Sequence, residues 1–497
     1  MQANVRGRVW KWSKRGLVAL LLVLGTLLAL RIYDTQRGPG LSLWHTYVPP
    51  DWHAAQIDHA TWGAYLDHEN ALFDDVREHV SDQLPPDERV ASNRFNPRSA
   101  IYPEHFKQDW NRSYMLMPQG TPRGVVVLLH GLTDSPYSLR HIGRRYRRDG
   151  FAVVAIRLPG HGTVPAGLTD ATWEDWRAAT RLAVREARAL VPAPAPLHLV
   201  GFSNGGALAM QFALDALEND TLARPDRLVL ISPMIGITRF ARFAGLAALP
   251  AFLPPFAKAA WLGIVPEFNP FKYNSFPVNG ARQSYALTQA LQAQIARMSR
   301  QGVLDGALPP VLTFHSVLDF TVSTRAVVSA LYEHLPANGS ELVLFDINRS
   351  AKMTPFFRTA ASDAMLRLLP SGRRSYRTTV ITNAGNDSPD MVAQVTEPGS
   401  SETAARAIPF QYPPEIFSLS HVALPFPMSD TLYGLHPDEP ENYGVHLGAM
   451  SVRGEVGFLV IGSDTFVRLS SNPFYPLMEQ YIDGLTGAVS QQTASRP

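Results

Sequence analysis

Along the chain, hydrophobic positions change their spacing in a way that lays out a succession of elements. From Ser113 onward, short, mostly apolar runs recur: "GVVVLL" ending at Leu129, "FAVVAI" from Phe151, "PLHLV" from Pro196, "RLVLIS" from Arg227 and "PVLTFHS" from Pro310. Such runs, bounded by turn residues, predict strands buried on both faces. Between them the spacing switches to that of helices, near Tyr137 to Arg148, from about Thr172 to Leu190, and through "GGALAMQFALDAL" after Ser203. Strands alternating with helices predict an α/β fold, a mostly parallel central sheet with helices on both faces. Ligands of such sheets bind beyond the C-terminal ends of the strands.

Several stretches interrupt this rhythm and divide the chain. Residues 34–112 read as a linker and N-terminal extension, with "QRGPG" and "VPPDW" as breakers in 34–55 and a helical stretch from about Thr61 to Gln83 to which no function is assigned. The α/β domain is expected over 113–486, with a tail over 487–497. Within it, about 236–300 is dense in Phe, Leu, Ala and Pro and reads as a small helical cap, an apolar lid and acyl pocket when set over a strand-end site. A second insertion, about 350–414, contains "SYRTTVITNAGN" and "DMVAQVTEP", a pair of extra strands.

The N-terminus follows a different pattern. Arg6, Arg8, Lys11, Lys14 and Arg15 precede an uncharged run from Gly16 to Leu30, with Trp10 and Trp12 before it and Ile32 and Tyr33 beyond Arg31. No A-x-A cleavage site follows. Residues 1–33 are therefore expected to be a basic cytoplasmic segment and an uncleaved single-pass membrane anchor. That topology places the α/β domain outside the cytoplasm, periplasmic or extracellular, or secreted if the segment is cleaved.

Composition narrows the chemistry. Lys and Arg number 45 against 43 Asp and Glu, a net charge of +2 that gives no footprint for nucleic acid. There is no cysteine, which excludes disulfides, thiol nucleophiles and cysteine-ligated metal centres. No H-E-x-x-H, no G-x-x-x-x-G-K-[ST] and no G-x-G-x-x-G after a strand is present, so no metal or cofactor is expected.

The candidate chemistry centres on "LVGFSNGG", where G-x-S-x-G sits between a strand and a helix. Gly201, Gly205 and Gly206 remove the Cβ groups that would clash in so tight a turn, leaving Ser203 raised above the sheet. A serine hydroxyl needs a histidine to take its proton and a carboxylate to orient that histidine, here in the order Ser, acid, His. Asp319 follows the strand Val311–Phe314 by one short loop and is preferred over Asp346, which also ends a strand. "LISPM" offers no carboxylate at the preceding strand. His421, after a short strand-like run in "IFSLSHVALPF", is preferred as base over His436 and His446, which lie in loops, and His315 reads as structural. Two backbone N–H groups should hold the oxyanion, one at Asn204 and one at Leu132 in "HGLTDSPYS". His130, Gly131 and His161 read as loop-shaping groups, and Asp175 and Trp176 as helix capping and packing groups.

With "HGLTDSPYS", "RLPGHG", "GFSNGG", "HSVLDFTV" and "SHVALPF" in this order, the chain resembles the α/β-hydrolase superfamily. It is most similar to the carboxylesterase and monoacylglycerol-lipase-like branch, also grouped with serine aminopeptidase-type hydrolases. The resemblance covers about Val125 to Ile231, resumes at Val311 and reaches His421 across an insertion. It implies Ser203, Asp319 and His421 as the triad, Leu132 and Asn204 as the oxyanion hole, and a carboxylic ester, hydrophobic or lipid-like, as substrate. The acid and base stand 102 residues apart, where relatives usually have a few tens. An amide or peptide hydrolase is the nearest alternative, and an inert scaffold of the same fold the other.

Overall fold

The computed structural model of the chain describes residues 2–237, 254–350, 368–438, 441–450, 461–462 and 466–487. Among the described residues ten strands form one sheet. They are β1 (Tyr114–Leu116), β2 (Gly124–Leu129), β3 (Phe151–Ile156), β4 (Leu197–Phe202), β5 (Arg227–Ile231), β8 (Val311–Ser316), β9 (Glu341–Phe345), β10 (Arg377–Gly385), β11 (Ser388–Thr396) and β12 (Thr403–Gln411). The remaining two, β6 (Trp261–Gly263) and β7 (Phe276–Pro277), pair separately.

The sheet order is β1-β3-β2-β4-β5-β8-β9-β10-β11-β12. Pairing is parallel from β3 through β10 and antiparallel at both ends, at β1 and at β11 and β12. Every residue of β2, β3, β4 and β8 is buried, the physical meaning of the apolar runs of β2 and β3 and of the mostly apolar β4 and β8. One apolar cluster fills the face where β2, β3 and β4 meet the helices Trp173–Leu190, Asn204–Glu218 and Val278–Arg300. A second covers the other face, from the helix Arg140–Arg148 to the C-terminal helix Tyr475–Thr486.

The register brings the strand ends level. Leu129 of β2 lies opposite Gly201, Phe202 opposite Ile231, and Ile231 opposite Phe314. The loops carrying Leu132 and Ser203 therefore leave the sheet side by side at its C-terminal edge, and the loop of Asp319 leaves the same edge from β8, across the intervening β5.

The N-terminal extension is built into this domain. Trp44 and His45 are buried within the stretch expected as a linker, and Ile57, Trp62 and Tyr65 join the core. Arg157 of "RLPGHG" is fully buried, paired with Asp51 at 2.7 Å and Glu69 at 3.1 Å, while the Tyr65 hydroxyl donates to the Arg157 carbonyl at 2.7 Å. The helix expected from Thr61 runs over Trp62–Val76 and widens into a π-helical turn at Arg77–Ser81.

The membrane anchor is corrected. The N-terminal run does form a helix, Gln2–Arg37, yet among the described residues no helix is long and apolar enough to cross a membrane. The uncharged run from Gly16 to Leu30 spans roughly 22 Å at ~1.5 Å per residue, short of a ~30 Å hydrocarbon core, and Arg15 and Arg31 close it at both ends. The transmembrane segment, the signal-anchor reading, the membrane as partner, and the placement outside the cytoplasm that depended on them are withdrawn together.

Other expectations fall partly outside the described residues. Of the expected cap, 238–253 lie outside them, and the rest includes β6, β7 and the helix Val278–Arg300. Of the second insertion, 351–367 lie outside them, as do 488–497 of the tail. The two extra strands are present as β10 and β11, and a third, β12, was not expected. Its outward-facing residues and Pro409 give no buried alternation to read.

Buried histidines make stability pH-dependent. Burial lowers the pKa of His161 and His315 to about 4 and of His198 to about 3. The unfolded chain binds protons at these sites below about 6.5 and the fold does not, so stability is lost as pH falls from 6.5 toward 4. Each such histidine contributes roughly 1.4 kcal/mol per pH unit within that window. Glu267, pushed up by burial to about 6, acts in the opposite direction and offsets about one of them. A urea midpoint that falls between pH 7 and 5 is the expected result, and a constant midpoint contradicts it.

Candidate active site

Ser203 stands between β4 and the helix Asn204–Glu218 with φ 54° and ψ −114°, a region costly to a residue with a Cβ. Four backbone bonds hold it there. Its N–H donates to Ile231 O at 3.0 Å, and its carbonyl accepts from Gly206 N at 3.0 Å, Ala207 N at 3.3 Å and Met234 N at 2.9 Å. The flanking glycines have a steric reason. A Cβ on Gly205 would lie 1.9 Å from Leu129 O, and one on Gly201 2.2 Å from Gly205 O.

The next loop along the sheet edge approaches Ser203 closely. A Cβ on Gly131 would sit 3.2 Å from the Ser203 Cβ, so the strand-end loop lies directly against the serine. Thr133 turns that loop with φ 61°, and its carbonyl accepts from Tyr273 N at 2.7 Å. Among the described residues, the Leu132 N–H donates no backbone hydrogen bond outside helices and strands. Asn204 is the first residue of its helix, where an N–H has no intrahelical acceptor. Both amides are therefore open beside the serine. The Asn204 side chain is fully buried, and its Oδ1 and Nδ2 have no hydrogen-bond partner.

Asp319 and His421 meet. His421 Nδ1 lies 2.7 Å from Asp319 Oδ2, with the aspartate side chain fully buried and the imidazole nearly so. Asp319 Oδ1 accepts from Thr321 N at 2.8 Å and Val322 N at 3.0 Å, which fixes the carboxylate. Burial alone would raise its pKa, but the His421 imidazole beside it holds the carboxyl well below the usual range, so Asp319 stays ionised. A carboxylate accepts only, so Nδ1 carries the proton and Nε2 presents a lone pair. The His421 ring packs on Phe202, the residue before Ser203, with ring centroids 5.2 Å apart. Among the described residues, no hydrogen bond joins Ser203 to His421; such contacts are often long before substrate binds.

The 102-residue gap between acid and base has a structural explanation. The strands β10, β11 and β12 extend the sheet beyond β9, and the chain then returns to the end of β9. There Asn348 N donates to Phe417 O at 2.8 Å, and Asn348 Nδ2 to Pro413 O at 3.1 Å and Ile416 O at 3.0 Å. His421 thus arrives as though its loop followed β9 directly. Its approach is irregular rather than the strand-like run expected, and Asn348, one of several polar residues in "FDINRS", gave no sequence signal.

The competing residues are engaged elsewhere. Asp346 binds Arg349 at 2.8 Å and Thr382 at 2.9 Å. His315 pairs with Thr324, and His446 with the Thr431 carbonyl. His130 accepts from Leu158 N at 3.0 Å, and His161 donates to Pro159 O, which also accepts from Trp176 Nε1. Asp175 caps its helix through Thr172 N and binds Ala54 N of the N-terminal extension. A cleft of about 1090 Å³ lies elsewhere, lined by Arg144, Arg147, Tyr475 and Glu479 among others. None of Ser203, Asp319 and His421 lines it. Among the described residues no three His, Asp or Glu side chains group as metal ligands would.

A mostly parallel sheet with a strained serine on a strand-to-helix turn, and an acid–histidine pair at the same edge, defines the hydrolase class of α/β folds. Residues 126–426 match the family described as "Alpha/beta hydrolase family", and the chain belongs to it. Over 89 residues it is 34% identical to a thermostable monoacylglycerol lipase of Bacillus sp. (strain H-257), a match to 18% of this chain and 34% of that protein. The chain thus spans about a third of the length of that relative. Both findings agree with the esterase- and lipase-like branch expected from the motifs. Among solved structures, one reported for the metagenome-derived lipolytic enzymes LipS and LipT is 22% identical, covering 48% of this chain and 88% of that one with a TM-score of 0.38. A soluble variant of monoglyceride lipase from Saccharomyces cerevisiae is 16% identical, covering 47% and 81% with a TM-score of 0.36.

Proposed function

We propose that the protein is a serine hydrolase of carboxylic esters, with Ser203 as nucleophile, His421 as general base and Asp319 as its orienting acid. The observation that carries this reading is the His421–Asp319 pair, 2.7 Å apart, with the imidazole packed on the residue next to the strained serine. Nε2 takes the Ser203 proton as Oγ attacks the ester carbonyl, and the oxyanion is held by the N–H groups of Leu132 and Asn204. The tetrahedral intermediate collapses, the C–O bond to the alcohol breaks, and His421 returns its proton to the leaving oxygen. Water then attacks the acyl-enzyme by the same route, releasing the acid and restoring Ser203.

The apolar composition of residues 236–300 and the lipase relative favour a hydrophobic or lipid-like acyl group. An aminopeptidase-type reading requires a free carboxylate to receive a substrate amine. Glu267, the buried carboxylate of this segment, is instead occupied by Asn274 N at 3.0 Å and Ser275 N at 2.8 Å, which favours the ester.

The test is covalent labelling. A fluorophosphonate probe is expected to modify the peptide containing Ser203, located by mass spectrometry. Labelling on another serine, or none on folded protein, would overturn the assignment.

A further inference from the structure

Asn204 serves the reaction above through its backbone N–H, and its side chain is left without a role. That side chain is fully buried, and neither Oδ1 nor Nδ2 has a hydrogen-bond partner. Among the described residues it is the only side-chain amide buried with both ends unpaired. Buried asparagines elsewhere are bonded at both ends. Asn269 donates from Nδ2 to the Tyr433 hydroxyl at 2.6 Å and accepts from Phe271 N at 3.1 Å, while Asn111 donates to Asp109 Oδ1 and Pro270 O and accepts from Arg94 Nη2. A buried amide left unpaired destabilises a fold, so position 204 carries a loss that the packing around the other asparagines avoids.

Helix geometry sets the direction of this side chain. Asn204 is the first residue of the helix Asn204–Glu218, and the Cα–Cβ bonds of a helix tilt toward its N-terminus. That is the end where Ser203 stands and where the Asn204 N–H is open, so the side-chain amide leans toward the oxyanion-binding groups. The surroundings are nearly dry. Ser203 itself is only 6% exposed, and a hydrogen bond made in such a place meets little competition from water. An amide can present either end, and an anion selects the Nδ2 donors.

We propose that the Asn204 side chain is a third donor to the oxyanion, its Nδ2 hydrogen-bonding the substrate carbonyl oxygen as that oxygen becomes anionic, beside the N–H groups of Leu132 and of Asn204 itself. This rests on the reading of Ser203 as nucleophile. The carbonyl oxygen of the bound ester carries less charge than the oxyanion and occupies a different position, so the bond strengthens in the tetrahedral state and lowers the barrier without tightening substrate binding. The amide unpaired in the resting fold is then a donor held ready, with no bond to break when charge develops.

The experiment uses Asn204→Leu and Asn204→Ala, both of which keep the backbone N–H, and checks their folding by circular dichroism. On a p-nitrophenyl ester, kcat is expected to fall by about 10² with KM little changed, since acylation and deacylation both pass through an oxyanion. The second readout is the ratio of kcat/KM for that ester to kcat/KM for the matching thionoester, in which sulfur replaces the carbonyl oxygen. Sulfur is a weak acceptor, so removal of a donor should lower this ratio by about tenfold, whereas a general disturbance of the site slows both substrates alike. A kcat within about threefold of wild type in both variants overturns the proposal, as does a loss confined to KM or a ratio left unchanged. Loss of folding in both variants would make the amide a structural group and overturn it too. Failure of the fluorophosphonate to label Ser203 in the wild-type protein would instead overturn the underlying mechanism.

Discussion

Ser203→Ala is expected to lose on the order of 10⁶ in kcat for ester hydrolysis, and His421→Ala a similar amount. The two losses should not add. In the proposed mechanism alanine at 203 removes the oxygen that forms the acyl-enzyme, and alanine at 421 leaves that oxygen protonated at neutral pH, so either change stops the same step. The double variant should therefore be no slower than either single variant, with some residual rate above the uncatalysed reaction from the open amides of Leu132 and Asn204. Ser203→Ala also relieves no steric requirement of the turn, because alanine keeps a Cβ at φ 54°, and the fold should survive with an unchanged melting profile. Hydrolysis of a p-nitrophenyl ester by purified, folded variants is the measurement. Near-normal activity in either single variant removes that residue from the mechanism, and multiplicative losses in the double variant would mean that serine and histidine act in separate steps.

Asp319→Asn is expected to cost about 10⁴ in kcat with little change in KM. The asparagine amide is close in size to the carboxylate and can still accept from Thr321 N and Val322 N, so the loop should hold. What changes is the group facing His421 Nδ1, now 2.7 Å from an oxygen that demands a proton there. An amide NH2 in that place donates to Nδ1, and the imidazole then carries its proton on Nε2, where it cannot accept one from Ser203. Loss of the carboxylate also leaves the imidazolium of the tetrahedral state without a countercharge. Steady-state kinetics resolves the two parameters. A loss confined to KM, or one below tenfold, would make Asp319 a structural residue and return attention to Asp346, despite its bonds to Arg349 and Thr382.

Much of this arrangement is legible in the primary structure because it is local. The apolar runs of β2 and β3, and the mostly apolar β4 and β8, correspond to complete burial. The glycines around Ser203 are equally readable, since contacts of 1.9 and 2.2 Å to backbone oxygens leave no room for any other residue. Elements held by distant partners are less readable. The N-terminal extension carries no catalytic motif, yet Asp51 and Glu69 neutralise the buried Arg157 behind "RLPGHG". The basic N-terminus suggested a membrane anchor through its charge asymmetry, whereas the length of the apolar run between Arg15 and Arg31 decided otherwise.

The sequence by itself determined the strand-and-helix order, the sharp turn at Ser203 and the candidate set of acids and bases, because each depends on residues near one another in the chain. Which acid meets which base was decided only by the tertiary structure. Three added strands separate Asp319 from His421 along the chain, and the bonds from Asn348 to Pro413, Ile416 and Phe417 cancel that separation in space. A hydrogen bond of 2.7 Å depends on where two loops end, and chain distance carries no information about that once an insertion is closed at its base.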